Sequence, residues 1–580
     1  MKLTAEILER YFQTINYPET IELKWAIKVD VEPDAFKNCR EKKIRSLHLN
    51  SIDYDNKITL TKKHSSLFEP LKEHLEELNL TCVLKCDFNF LKDLKHLKKL
   101  TLRSSLFSNR SPVFKAASNQ LTHLDLSYSN IDLSYSSDKT LFNDLKCLKH
   151  LDLSGVILDG NIGLPDLFSE LKQLDTLKMY WTKLMPTDDA FIYLTNLKEL
   201  HFFGIEIPKS ASNILAPLTS MQKLVIGNTS RFNYDAFRQV SNNLRELSLN
   251  YFPTIQIDDN FFDQHPNLES LDLSSLNASY FDTNEINVDN CIDLKALVNL
   301  KSLKSLNLND NNLKLDHQKD CELIFGLENL ETLDLSLSER NKFLQRELKL
   351  NEKTFVKMKN LKVLNLRGNQ IKLEGDCFQH LTQLRELDIS KTIIKYSGAS
   401  NEDYDILSCL INLQKFCFYG IDTSDWFKLY KMSQLVNLKE LSLYRVNEQH
   451  LEQFREMLRT NKRMRQTGES DPTPTNDDLC YFILKDMTKL TSLHLCDCQL
   501  TFINKEILSQ MKNLTILKIS GNRIQNIPDD TFDCLLNLEE IDLTRNPLQQ
   551  IKQNRLCLKL DKLRKKSFYN LTRDDLLDEQ

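Results

Sequence analysis

Glycine is scarce, with 12 in 580 residues, and tryptophan occurs 3 times. Loops that cradle phosphates need glycine, and neither GxxxxGK(S/T) nor GxGxxG is present. HExxH and GxSxG are missing too, and the 12 histidines do not cluster with carboxylates at any catalytic or metal-ligand spacing. No enzyme activity, metal or cofactor is therefore expected. There is no apolar run of about eighteen residues, so no membrane-spanning helix is expected. A net charge of −5 provides no basic field for nucleic acid. The basic runs at Lys62–His64, Lys462–Arg465 and Lys562–Lys566 are short and separated, and read as solvated faces, with nuclear targeting as the alternative.

The opening MKLTAEILERYFQTI carries Glu6, Glu9 and Arg10 among its apolar residues and lacks the apolar core and cleavage site of a secretory leader. The 14 cysteines include Cys39, Cys147, Cys291, Cys321, Cys377, Cys409 and Cys534, scattered singly and often beside Leu or Phe. That scatter suits buried thiols in a reducing compartment. Sequons at Asn79, Asn109, Asn228, Asn277, Asn513 and Asn570 match what chance supplies in an asparagine-rich chain. The expected location is the cytoplasm, with the nucleus open and secretion less favoured.

What the chain has in abundance is one beat, LxxLxLxxNxL. It is clearest in LKSLNLNDNNL from Leu303, LKVLNLRGNQI from Leu361, LTILKISGNRI from Leu514 and LEEIDLTRNPL from Leu538. Further copies begin at Leu97, Leu121, Leu148, Leu174, Leu197, Met221, Leu244, Leu268, Leu330, Leu384, Leu413, Leu438 and Leu490. Side chains alternate along a strand, so the leucines point inward and the residues between them outward. Asn311, Asn369, Asn522 and Asn546 stand at the ninth position, where an amide can bond backbone leaving the strand. Six residues before the first leucine, Phe142, Phe168, Phe191, Phe262, Phe355, Phe378 and Phe532 recur on what reads as a short helix facing the core.

By these residues the chain resembles the leucine-rich-repeat family over nearly its whole length. The resemblance implies an α/β fold: a right-handed solenoid, or horseshoe, with a parallel concave sheet and short convex helices. The expected division is a helical cap at 1–43, a solenoid of about 18–20 repeats at 44–557, and a charged tail at 558–580. Between Leu438 and Leu490 the beat pauses for 52 residues, and NKRMRQTGESDPTPTNDD reads as a disordered insertion at 459–478 on one continuous structure. Thr473 precedes Pro474 there and is a candidate phosphosite.

A repeat sheet is a platform for a protein partner, presented at the third, fifth, seventh and eighth positions. Tyr180, Trp181, His201 and Phe203, with Tyr128 and Tyr251 farther off, form one candidate patch of exposed aromatics. Arg367, Lys391, Tyr419, Tyr444 and Arg445 form a second, suited to an acidic peptide. The stripe Leu3, Ile7, Leu8, Tyr11 and Phe12 bears a faint resemblance to an F-box or elongin-binding box of leucine-rich substrate receptors. That resemblance implies cullin or elongin partners through residues 1–15, although Ile7 stands where the elongin pattern has Cys and Thr4 where the F-box has Pro. Three functions stay open: an intracellular scaffold or adaptor, a ubiquitin-ligase substrate receptor, and a secreted or receptor-like ectodomain resembling Toll-type repeats at IPDDTFDCLLNLEEIDLTRNPL.

Overall fold

The computed structural model describes residues 2–548 and the strand 565–567, except 15–18, 26–29, 52–57, 85–87, 108–113, 115–119, 133–140, 160–162, 183–185, 229–233, 253–254, 277–291, 314–322, 338–346, 397–406, 419–421, 424–428, 445–447, 461–474 and five isolated residues. The chain divides into two units, the first mainly 1–256 and the second mainly 288–580.

In the first unit each repeat contributes one short strand to the main sheet, and successive strands pair in parallel without slippage. A second, five-stranded parallel sheet runs from Ile58–Thr59 to Ile157–Asp159, and a four-stranded one in the second unit from Glu347–Asn351 to Asp422–Thr423. Leu124 lies opposite both Leu100 and Leu151, and Leu200 opposite both Leu177 and Leu224. The ladder runs from Thr20–Trp25 to Ser270–Asp272. The second unit repeats the arrangement from Ser305–Asn307 to Lys565–Ser567. Two of these strands lie outside the expected 44–557 repeats: Thr20–Trp25 falls in the segment read as cap and Lys565–Ser567 in the segment read as tail. Both lack a full LxxLxLxxN signature, and pairing with one neighbour is enough to recruit them.

The inward leucines are almost wholly buried, and the phenylalanine row forms a core spine. Phe114 and Phe142 stack at 6.0 Å and Phe168 and Phe191 at 6.5 Å, while Phe355 and Phe378 tilt at 5.8 Å. The short convex helices expected occur in some repeats, mostly as 3-10 pieces, and turns take their place in others. DAFIYLTNL closes through Leu194 N–H to Phe191 carbonyl (2.9 Å) and Leu197 N–H to Leu194 carbonyl (3.0 Å). In such segments i→i+3 bonds close the turn in place of an α-helix. Short α-helices do occur at Leu164–Phe168 and Lys505–Gln510.

The ninth-position amides pin the turns. Asn369 Nδ2 donates to the carbonyls of Leu335 (2.9 Å) and Leu366 (2.8 Å), one repeat back and in its own repeat. Where Ser129 or Thr182 occupies the slot, the shorter hydroxyl reaches one carbonyl, Leu102 (2.8 Å) or Leu153 (2.9 Å).

The 52-residue interval does not divide the sheet. Glu440–Tyr444 pairs directly with Ser492–Cys496 over five residues, and both belong to the second unit. The helix Glu448–Thr460 buries Leu451 and Phe454. The end of the expected disordered insertion is ordered: Thr475 caps the helix Asn476–Leu484 in a reciprocal box with Asp478. Residues 461–474, Thr473 among them, lie outside the described residues.

Replacing Asn369 with Ala strands buried carbonyls, and we expect about 3 kcal/mol of destabilisation, read as a lower urea midpoint. Cutting at a protease site placed between Thr460 and Thr475 should leave the fragments associated in size-exclusion chromatography without denaturant. Free separation would contradict the direct pairing across the interval.

Candidate functional site

The outward residues first serve the sheet itself. At the fifth position an Asp or Asn turns back onto the seventh residue's amide: Asp125 Oδ1 accepts from Ser127 N–H (2.8 Å), Asp152 from Ser154 (2.9 Å) and Asp388 from Ser390 (2.8 Å). The eighth position is not a strand position, contrary to the sequence reading. Tyr128, Trp181, Tyr251, Ser275 and Lys391 adopt left-handed backbone with φ from 54° to 58°. There the chain turns off the sheet while its amide still reaches the next repeat, as from Trp181 N–H to the Phe203 carbonyl (2.8 Å). A non-glycine residue in this conformation costs about 1–2 kcal/mol, which the ladder bond offsets.

In the first unit this geometry lays large rings across neighbouring repeats. A Cβ on Gly155 would sit 2.6 Å from the Tyr128 ring, one on Gly204 2.3 Å from Trp181, and one on Gly227 2.6 Å from Phe203. Each ring therefore lies over a glycine one repeat further on. Trp181 meets Phe203 edge-on at 5.4 Å, Phe203 meets Tyr251 at 6.2 Å, and Tyr180 lies 6.1 Å from Phe203. The result is a contiguous aromatic floor.

Two of its members are not exposed as the sequence suggested. His201 is 8% and Phe203 9% exposed, because Tyr180, Trp181 and Tyr251 close over them, whereas Tyr128 remains 53% exposed. His201 Nε2 bonds Glu199 Oε1 (2.6 Å), its Nδ1 meets the Tyr180 hydroxyl, and Lys223 bridges Glu199 (3.6 Å) to Glu246 (3.1 Å). Burial lowers the His201 pKa, against the pull of Glu199.

Sequence reasoning missed the glycines and the residues beside the floor. Three of the 12 glycines stand one repeat after a ring, which is the signal that aligned repeats could have given. The Arg103 guanidinium lies 5.1 Å over the Tyr128 ring. His123 and His150 stack on adjacent strands at 4.1 Å. Burial and then the His150 charge push His123 down to about 4, and burial lowers His150 as well.

The second patch is less assembled. Arg367 Nη1 donates to Ser390 Oγ (3.3 Å), beside Lys391. Tyr444 ends a strand, while its side chain, Tyr419 and Arg445 lie outside the described residues. At the N-terminus the helix Ala5–Thr14 buries Leu8, and Leu3 beside it is buried as well; Ile7 is 37% exposed, and the Tyr11 and Phe12 side chains lie outside the described residues.

Among the described residues no group of three or more His, Cys, Asp and Glu is placed to hold a metal. In HLCDC the Cys498 thiol points at the carbonyls of Leu443 (3.6 Å) and Cys496 (3.4 Å), and His494 meets the hydroxyls of Ser442 (3.2 Å) and Ser492 (3.3 Å). Burial pushes the Cys417 thiol up to about 11 and Cys480 to about 12, which removes both as nucleophiles near neutral pH.

The family described as leucine rich repeat matches residues 345–394 and 488–548. Transforming growth factor beta activator LRRC33 of Danio rerio is 24% identical over 261 residues, 39% of this chain, and the chain spans only 36% of that relative. A chain of the mouse RP105/MD-1 complex is 18% identical, with 90% of this chain and 91% of that one covered at a TM-score of 0.52, a likeness of fold. A chain of the TLR13–ssRNA13 complex covers 93% and is covered to 90%, at 18% identity and a TM-score of 0.46.

The histidine stack has a consequence for pH. Both folded-state pKa values lie below the ordinary 6.5, so the unfolded chain takes up protons first as pH falls. Stability should therefore drop between about pH 6.5 and about pH 4, with no contribution above that window. Thermal melts of His123→Gln/His150→Gln should show a shallower loss over this range than the parent; an equal slope would remove the stack as the cause.

Proposed function

This chain is a leucine-rich-repeat protein, and from that premise we propose that it is a non-enzymatic scaffold that binds a protein partner on the aromatic floor of its first unit. The supporting observation is the floor itself. Tyr180, Trp181, Phe203 and Tyr251 sit ring against ring on a solvent-facing sheet, with Tyr128 exposed beside them. Buried hot spots of this composition dominate protein interfaces, because aromatic rings bring large area at little entropic cost. Arg367 and Lys391 would form a secondary, cationic contact for an acidic segment, with Tyr419, Tyr444 and Arg445. Thr473 would be a phosphorylation point on the same scaffold.

We place the scaffold in the cytoplasm. Cys39, Cys377, Cys480 and Cys498 are free thiols buried in the core, which a reducing compartment preserves. A receptor-like ectodomain is the second reading, favoured by the likeness to a transforming growth factor beta activator. A shift in mass on glycosidase treatment of protein from its native cells would decide for the second. The ligase-receptor reading would need the helix Ala5–Thr14 to present its apolar stripe outward, and Leu8 is 1% exposed.

Affinity purification of the full chain should lose its captured partner by more than about tenfold in Trp181→Ala/Phe203→Ala, with the thermal melt still cooperative. Undiminished capture by the folded double variant would sink the assignment of the site.

A further inference from the structure

We propose that the aromatic floor takes an extended, proline-rich segment carrying acidic side chains, an inference that rests on the scaffold reading above. The repeat distances carry it. Down the eighth-position row the residues are Tyr128, Gly155, Trp181, Gly204, Asn228 and Tyr251, so the first two large rings stand two repeats apart. The strands of these repeats pair consecutively, His123–Asp125 with His150–Asp152, then Thr176–Lys178, then Glu199–Phe203. Adjacent strands lie about 4.8 Å apart, which sets the rings about 9.6 Å apart along the ladder. A polyproline II helix rises about 3.1 Å per residue with three residues per turn, or about 9.3 Å. A segment laid across the strands with proline at every third position meets Tyr128 and Trp181 in successive turns.

The shape of the rings suits that ligand. Tyr128 and Trp181 each rest against a glycine one repeat further on, and a pyrrolidine ring can pack on either. The Tyr128 hydroxyl has no hydrogen-bond partner among the described residues, and its side chain is exposed, so it can donate to one of the carbonyls that a polyproline II backbone leaves unbonded. Such a segment arrives already ordered, which lowers the entropy lost on binding.

Charge selects the acidic partner. Arg103, stacked on Tyr128, forms no ion pair with a carboxylate among the described residues, whereas Lys178 already acts on Glu199. Lys223 is likewise held by Glu199 and Glu246. The nearby Asp125 and Asp152 are turned onto the Ser127 and Ser154 amides. An Asp or Glu on the incoming segment supplies the missing counter-charge beside the first ring.

The test uses the full chain and a fluorescein-labelled 12-residue peptide with Pro at every third position and Asp at both ends, followed by anisotropy. Matched peptides replace every Pro with Ala, or each Asp with Lys. We expect the Pro→Ala peptide to bind at least about tenfold more weakly, and Trp181→Ala and Tyr128→Ala each to lose about tenfold. Gly204→Ala, which displaces the Trp181 ring without removing it, should weaken binding too, and Trp181→Phe should keep most of it. Arg103→Ala should erase the preference for Asp over Lys. Far-UV circular dichroism melts establish that each variant is folded. Equal binding of the Pro and Ala peptides, no binding of either, or unchanged binding by folded Trp181→Ala overturns the proposal. If the peptides fail but Trp181→Ala/Phe203→Ala still strips the protein partner in the affinity purification, this inference falls and the scaffold reading stands. If that double variant keeps its partner, the scaffold site itself is wrong.

Discussion

Parallel pairing without slippage sets each motif position beside its own counterpart in the next repeat, so that Leu100, Leu124 and Leu151 form one row. Everything else in the molecule answers to that constraint. Identical neighbours are favourable for leucine, whose branched side chains close-pack, and for phenylalanine, whose rings stack along the convex side. They are favourable for asparagine as well, since one amide reaches carbonyls in two repeats. For charged residues the same stacking would be repulsive, and the third-position row avoids it by alternation: Glu199, Lys223 and Glu246 stand side by side and neutralise one another.

The rows that face the interior were legible because their chemistry is demanding. Only apolar groups fill the core, so LxLx spacing marks strand and orientation together, and the ninth-position Asn marks the turn. Outward rows obey weaker rules, and there the reading went astray in physical detail. Treating Trp181 as a strand residue overlooked that the chain has already turned into left-handed backbone at φ 58°. Calling His201 and Phe203 exposed overlooked that rings lean forward by a whole repeat, a contact between residues about twenty apart that no local pattern encodes. The convex helices are present in some repeats and replaced by turns in others, because the phenylalanine spacing specifies which side chain is buried, and turns satisfy it as well as helix does.

The ends and the long interval show how far a ladder tolerates weak sequence. Thr20–Trp25 and Lys565–Ser567 join with little motif, because a neighbouring strand offers a template of unpaired backbone groups. Between Tyr444 and Ser492 the chain departs and returns to the adjacent place in the sheet, and Thr475 restarts the fold with a cap that composition alone hides among polar residues. A polar stretch therefore says little about domain boundaries in a repeat protein: the strands on either side of it decide.

The ring that rests on a glycine in the following repeat also fixes the order in which this surface can change. While Trp181 keeps its indole, a side chain at 204 meets ring carbons at 2.3 Å and is refused. Once the indole is lost, position 204 retains only the modest strain of its φ of +68° and opens to other residues. The two positions are thus linked in one direction, and a later side chain at 204 would in turn bar the ring from returning. A surface assembled this way is hard to approach by single substitutions and easy to lose by one, so the Tyr128–Gly155 and Trp181–Gly204 pairs behave as a history recorded in the chain, readable only when residues one repeat apart are taken together.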